Sequence, residues 1–249
     1  MNPPPAIFYI PAKRHSTGIP GKNLAHVGGE PLVVHTLRAA AGARRPGDHI
    51  VVSSDSDEIL NLARNWDATP IARPSELAGP GVPVRQVVAA ELDQISALTT
   101  EDALLVLLLP TSPLRTAGTI TAALTRYAMA PSIHSLVSVS SFDVSPDYAV
   151  SLSSTDGGRL GYVAGIDMFN RRSQRQQSRK LFFPNGAIYI VSLQAFRDHP
   201  FFFHETRTIG FEMDAISGLD VDTPEALVSA DALMRQRGEG AASERVADA

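Results

Sequence analysis

Short, wholly apolar runs alternate with stretches of helical period through the first half of the chain, a pattern that predicts a mostly parallel sheet covered by helices. Residues 6–10 read as the first strand, and a loop over 11–23 leads to a helix over 31–43, where Gly42 and the following Arg-Arg-Pro-Gly give a stop. Residues 49–53 form the next apolar run. Asp55 followed by Glu58 has capping-box spacing and predicts a helix towards Trp66. The segment 73–84, rich in proline and glycine, reads as an ordered loop, because Val87, Val88, Leu92 and Ile95 restore helical spacing beyond it. Residues 103–109 are apolar throughout, as a central strand buried on both faces requires, and Pro110 ends them. A helix over 116–127 and a strand over 135–140 follow. The chain then makes a polar excursion, about 143–180, with a hairpin signal at Asp156-Gly157-Gly158 and a basic, glutamine-rich stretch over 171–180. Residues 186–191 return to the sheet, and a last helix over 224–237 precedes a small, charged tail, 238–249, expected to be disordered.

Composition narrows this picture. With 249 residues, 44% of them hydrophobic, one substantial core is more economical than two, so residues 1–237 are expected to form a single α/β domain. A formal net charge of -4 argues against a nucleic-acid or anionic-membrane partner, both of which call for a clustered positive field. The absence of cysteine excludes disulfides, zinc-thiolate centres and cysteine nucleophiles. The first residues lack a basic segment followed by a long apolar one, and no run reaches membrane-spanning length, so a cytoplasmic location is expected.

Chemistry concentrates in two places. The loop after the first strand carries Lys13, Arg14 and Lys22 together with Gly18 and Gly21, where an open α/β sheet binds ligands. Glycines let backbone approach phosphate oxygens closely, and the cations neutralise a polyphosphate. The loop is neither a Walker A motif, since Asn23 follows Lys22, nor a G-x-G-x-x-G fingerprint; a solvated basic loop is its plain alternative. The second place is Asp220-Val221-Asp222-Thr223-Pro224. Strand alternation puts both aspartates on one face, offering two hard oxygen ligands to Mg2+, which completes its shell with water and substrate phosphates. Asp222 or Thr223 could instead cap the last helix, a reading that leaves Asp220 unexplained. His-Glu-x-x-His and Gly-x-Ser-x-Gly are missing, which removes metalloprotease and serine hydrolase readings.

Six segments in order, Ile10-Pro11-Ala12-Lys13 to Gly18-Ile19-Pro20-Gly21-Lys22-Asn23-Leu24, Val52-Ser53-Ser54-Asp55-Ser56, Arg73-Pro74-Ser75-Glu76-Leu77-Ala78, Pro110-Thr111-Ser112-Pro113-Leu114-Arg115, Pro184-Asn185-Gly186-Ala187-Ile188-Tyr189-Ile190 and Asp220-Val221-Asp222-Thr223, resemble those of the CMP-sialic acid synthetase (acylneuraminate cytidylyltransferase) family. The resemblance covers nearly the whole chain. It implies a Rossmann-like nucleotidyltransferase fold with a dimerisation excursion, and an enzyme that transfers CMP from CTP to a small acidic acceptor with release of pyrophosphate. It further implies that Ala12, Lys13, Arg14, Gly18, Lys22, Asn23, Arg73, Pro110, Thr111 and Ser112 bind the nucleotide, with Arg73 beside the cytosine. Asp220 and Asp222 hold Mg2+, and with Lys13 and Lys22 form the catalytic set. Leu109, Tyr148, Arg175, Asn185, Tyr189, Phe202 and Phe203 face the acceptor, and the protein is a homodimer. On composition alone, Tyr189 and the Phe201-Phe202-Phe203 run read equally as core, and Arg175 as part of a solvated charge run.

The departures from the family pattern are localised. Lys13 stands where the family usually has arginine, and Thr17 where it has lysine. Leu109 replaces a common glutamine, Tyr148 a frequent basic residue, and Gly79-Pro80-Gly81-Val82-Pro83-Val84 a polar run near the base. Sites built on a specific hydrogen bond discriminate by orders of magnitude, so a leucine for an amide predicts an acceptor other than N-acetylneuraminic acid: another nonulosonic or ulosonic acid, or a smaller acid such as a phosphonate. Alternatives are a transferase using another base or a sugar 1-phosphate, and a catalytically weakened nucleotide-binding protein.

Overall fold

The computed structural model describes residues 4–16, 18–130, 132–163 and 180–247. In chain order the elements are β1 (Ala6–Pro11), a 3-10 turn (Lys22–Leu24), the small hairpin β2 (His26–Val27) and β3 (Glu30–Pro31), α1 (Leu32–Ala43), β4 (His49–Ser54), α2 (Asp57–Arg64), β5 (Thr69–Ala72), α3 (Ser75–Ala78), α4 (Val84–Ala90), α5 (Leu92–Ser96), β6 (Leu104–Leu107), α6 (Ala117–Ala128), β7 (Ser135–Ser141), the hairpin β8 (Val150–Leu152) and β9 (Leu160–Tyr162), β10 (Phe182–Ser192), α7 (Leu193–Asp198), β11 (Thr208–Glu212) and α8 (Pro224–Ala247).

Seven strands form one sheet in the order β11-β7-β10-β6-β1-β4-β5. Only β10 runs antiparallel to its neighbours, β6 and β7; the other pairings are parallel. The unbroken apolar runs arise because both faces are covered. Phe8, Ile10, Val52 and Val106 point to a core under α1, α2 and α6, while their neighbours Ile7, Tyr9, Val51 and Leu105 point to a second core with Val88, Ile95 and Phe196. Each fully buried side chain of this size contributes about 1.5–3 kcal/mol. From β1 the chain proceeds outward through β4 to β5, then crosses to place β6 on the other side of β1. This reversal opens a crevice beyond the carboxyl ends of β1 and β6, where sheets of this kind bind ligands.

Several elements differ from expectation for local reasons. α2 starts at Asp57, because the Asp55 carboxylate accepts the Arg14 N–H at 2.7 Å and is not a cap. The expected loop over 73–84 contains the short α3, and the helical stretch beyond it is broken at Glu91 into α4 and α5. The strands β5 and β11 and the helix α7 have no strong periodic signal and take their conformation from pairing and packing. The last helix, expected to stop at Arg237 before a disordered tail, is helical through Ala247. The tail contains no proline, and its alanine, glutamate and arginine residues are strong helix formers that offset Gly238 and Gly240. The predicted hairpin at Asp156-Gly157-Gly158 is formed by β8 and β9, whereas Thr17 and Arg175 lie outside the described residues.

Candidate active site

The loop after β1 is held by its own backbone and by the end of β4. Ala12 donates its N–H to the Ser53 carbonyl at 2.9 Å and accepts the Ser54 hydroxyl at 2.6 Å, and Asn23 Nδ2 donates to the Lys13 carbonyl at 2.7 Å. Gly18 brings the loop against the far segment. A Cβ there would stand 2.6 Å from the Asp222 carbonyl oxygen, so only glycine permits this approach. The Lys22 side chain, 11% exposed, crosses the crevice, and its Nζ donates to Asp222 Oδ1 at 2.6 Å.

The aspartate segment is fastened to the loop after β6. Val221 donates its N–H to the Thr111 carbonyl at 2.8 Å, and Val221 itself is buried among Val27, Leu32 and Ala230. Alternation then places Asp220 and Asp222 together. Thr223 is the helix cap, its Oγ1 accepting the Ala226 N–H at 3.2 Å, which leaves the Asp222 carboxylate to Lys22.

The two carboxylates are inequivalent. Burial pushes Asp220 up to about 6; the Asp222 charge adds to this and a hydrogen bond from Thr111 opposes it. The hydrogen bond from Lys22 holds Asp222 below its ordinary value. Asp220 Oδ1 is buried with no hydrogen-bond donor. A buried carboxylate oxygen lacking a donor, beside a second carboxylate, fits a hard divalent cation such as Mg2+. Among the described residues no group of three or more histidine, aspartate or glutamate side chains could hold a metal, so such an ion would take the rest of its shell from water and phosphate.

These groups surround a cavity of about 440 Å³. Its lining combines Lys13, Lys22, Asn23 and Gly18 with Asp220 and Asp222, Arg73 with the apolar Leu77, Val82, Val84 and Val87, and Leu109, Pro110 and Thr111. Of the expected nucleotide residues, Ala12, Arg14 and Ser112 do not line it: Ala12 is spent on β4, the Arg14 backbone is tied to Asp55, and Ser112 is buried.

The residues expected at the acceptor divide. Leu109 lies in the cavity wall, 3.4 Å from where a Cβ on Gly186 would be, and Gly186 has φ +80°, a conformation that favours glycine. Burial and then the Asp220 charge push the Tyr189 phenol above its ordinary value. Phe202 and Phe203 stand 5.7 and 6.1 Å from Tyr189, but none of the three lines the cavity: Phe202 is buried in the core against Phe196, Tyr189 packs on that core, and Phe203 is half exposed. Asn185 turns inward: its Oδ1 accepts from Ser138 Oγ at 2.6 Å and its Nδ2 donates to Ser140 Oγ at 3.0 Å. Tyr148 is exposed on a 3-10 turn, Pro146–Tyr148, outside the cavity wall.

Sequence reasoning missed two contributors. One is the apolar wall, in which Val84 is legible only as the end of a loop run and Val87 only as a helix-face residue. The other is Arg115, whose guanidinium is buried, donating to the Ala187 carbonyl at 2.6 Å and to Thr36 Oγ1 at 2.8 Å, and thereby tying the loop after β6 to β10 and α1. Burial lowers its pKa to about 9, which leaves it charged at neutral pH. Its place in the Pro-Thr-Ser-Pro-Leu-Arg segment was the available signal.

A glycine-bearing cationic loop and a carboxylate pair meeting at the switch point of a mostly parallel sheet suit a nucleotidyltransferase-type site. A family model described as "Cytidylyltransferase" matches residues 7–139, and the chain belongs to this family of nucleotidyltransferases. It is 30% identical over 217 residues to the CMP-N,N'-diacetyllegionaminic acid synthase of Legionella pneumophila, covering 86% of this chain and 90% of that one. It is 29% identical over 225 residues to the N-acylneuraminate cytidylyltransferase of Streptococcus agalactiae, covering 89% of this chain and 51% of that one. The chain thus spans about half the length of such relatives. Among solved structures, a CMP:2-keto-3-deoxy-manno-octonic acid synthetase complexed with CTP superposes with a TM-score of 0.66 at 15% identity over 94% of this chain and 99% of that one. The 4-diphosphocytidyl-2C-methyl-D-erythritol synthase of Anaerococcus prevotii gives 0.62 at 10% identity over 94% and 100%. These two likenesses concern the fold.

Proposed function

We propose that this chain transfers CMP from CTP to an acidic sugar acceptor of the nonulosonic or ulosonic class, releasing pyrophosphate. The observation that carries this reading is the 2.6 Å contact of Lys22 with Asp222, beside the donorless Asp220 oxygen, on the wall of one cavity. An acceptor oxygen forms a bond to the α-phosphorus of CTP as the bond to the bridging oxygen of pyrophosphate breaks in line, and the acceptor proton passes to solvent. Little covalent work falls to the protein, so positioning and charge stabilisation dominate. Lys22 and Lys13 hold the leaving pyrophosphate, Asn23 keeps the Lys13 backbone in place, and Arg73 with the valine wall receives the base. Mg2+ on Asp220 and Asp222 would orient phosphate oxygens and offset their charge.

Leu109 in the cavity wall favours an acceptor other than N-acetylneuraminic acid, and the likeness to a CMP-N,N'-diacetyllegionaminic acid synthase supports a sugar acid better than a small phosphonate. The homodimer reading is supported by the exposed apolar Val150, Leu152 and Leu160 on the β8–β9 hairpin and by exposed Phe142, Phe182 and Phe183. No helix among the described residues is long and apolar enough to cross a membrane, which suits a cytoplasmic enzyme.

The test is pyrophosphate release with each of the four nucleoside triphosphates against a panel of acids. Release with CTP and a nonulosonic or ulosonic acid is expected. Preference for another base, or for a sugar 1-phosphate or phosphonate, would overturn the substrate assignment, and CTP binding without turnover of any acid would make the chain a nucleotide-binding protein.

A further inference from the structure

Behind the cavity lies a buried acidic residue that the reaction does not use. Glu91 is 2% exposed and sits at the break between α4 and α5, with φ -98° and ψ 4°. Its Oε2 accepts the Tyr9 hydroxyl at 2.6 Å and its Oε1 accepts the Ser53 hydroxyl at 2.7 Å. The same Ser53 oxygen accepts Arg73 Nε at 3.0 Å, and the Ser53 carbonyl accepts Arg73 Nη2 at 2.9 Å. One chain of hydrogen bonds therefore runs from Tyr9 on β1 through Glu91 and Ser53 to the guanidinium on the cavity wall.

Burying a carboxylate costs several kcal/mol unless it is compensated, and an apolar residue would pack against Val87, Val88 and Ile95 without that penalty. The compensation comes from two directed donors and, one residue removed, from the charge of Arg73. A serine that donates to a carboxylate becomes a better acceptor on its own oxygen, so the Glu91 charge strengthens the grip on Arg73 Nε. Both restrained N–H groups face the protein interior, which orients the remainder of the guanidinium fork towards the cavity. Burial and the Glu91 charge also raise the Tyr9 phenol above its ordinary value, keeping it a donor.

We infer that Glu91 is a positioning residue for nucleotide recognition, holding Arg73 through Ser53 in the orientation with which it meets the base and ribose end of CTP. The inference rests on the functional reading above, in which Arg73 receives the nucleoside. It concerns that end of the ligand alone. The pyrophosphate end is held by Lys13 and Lys22, whose side chains the network does not bond; its link to their loop is the Ser53 carbonyl, which also accepts the Ala12 N–H, a backbone bond that the side-chain variants below leave in place.

Calorimetric titration of CTP and of inorganic pyrophosphate into the full chain and its variants tests it. Glu91→Gln keeps the side-chain shape but removes the charge and forces one hydrogen bond to reverse; it is expected to weaken CTP about tenfold, since hydrogen bonds to charged groups are the stronger ones. Pyrophosphate affinity is expected to change less than about twofold, as is CTP affinity when Glu91→Gln is added to Arg73→Ala. Ser53→Ala breaks the relay while leaving the Glu91 charge and its Tyr9 donor in place, and should weaken CTP in the same Arg73-dependent way, so the inference stays testable should Glu91→Gln fail to fold. Equal losses of CTP and pyrophosphate, losses that add to that of Arg73→Ala, or a lowered melting temperature with unchanged CTP affinity would each overturn it. If the unaltered chain bound pyrophosphate but no CTP, the functional reading would fall and this inference with it; normal CTP binding with indifferent variants would overturn the inference alone.

Discussion

Lys22 Nζ and Asp222 Oδ1 lie 2.6 Å apart although 200 positions separate them in the chain. The contact joins the loop after the first strand to the segment before the last helix, and it leaves Asp220 the more buried, less compensated carboxylate of the pair. Cation and carboxylates thus meet on the wall of one cavity.

If a metal on this pair carries the charge of the transition state, Asp220→Ala and Asp222→Ala should each lower turnover by at least about a hundredfold. Steady-state pyrophosphate release at saturating CTP measures this. Near-normal release by both variants would contradict the metal assignment.

The elevated Asp220 pKa gives a pH dependence with a definite sign. With its folded value raised from 3.8 to about 6, the native protein binds the extra proton between those values, so metal-free stability falls as pH rises through that window. The same proton competes with a cation. Mg2+ affinity in the presence of CTP should therefore decline as pH drops below about 6, and titrations at pH 5 and pH 7.5 (about one unit or more either side of 6) compare the two states. Equal affinities would show that Asp220 is not a ligand.

Gly18→Ala places a methyl group 2.6 Å from the Asp222 carbonyl oxygen and should force the two segments apart. Overpacking of this kind costs about 1–3 kcal/mol, so CTP affinity should fall about tenfold. A variant with unchanged CTP affinity would show that the loop closes in another way.

Leu109→Gln restores an amide to the cavity wall. Its expected effect is a shift in kcat/KM towards N-acetylneuraminic acid relative to the preferred acceptor, by about tenfold or more, with KM for CTP little altered. An unchanged ratio across the acid panel would remove Leu109 from the determinants of specificity.

Paired Leu152→Glu and Leu160→Glu replace the most exposed apolar side chains of the β8–β9 hairpin. Light scattering should show the proposed dimer converted to monomer while the melting temperature of each subunit moves little, because these positions contribute no core. A mass unaffected by the change would place any self-association elsewhere.

The parallel strands were readable from the chain because a strand buried on both faces must be apolar at every position, and residues 103–109 and 49–53 admit no other economical reading. The glycine-flanked cations and the Asp-x-Asp pair were readable for a similar reason, since hard ligands and close phosphate approach demand particular residue types. What the chain did not disclose depends on distant partners. β11 has little periodicity and exists because β7 offers it a parallel edge. Asp55 has capping-box spacing, yet the Arg14 N–H reaches it first, and Thr223 takes the cap that would otherwise have competed for Asp222. Asn185 belongs to a matching motif but is consumed by two serines of β7. Glu91 marks the limit most clearly. A charged residue on an otherwise apolar helix face was visible, but only the fold brings Tyr9, Ser53 and Arg73 to it. Local sequence dictates periodicity and backbone preference, whereas the solvation of a buried charge is decided by groups that folding alone assembles.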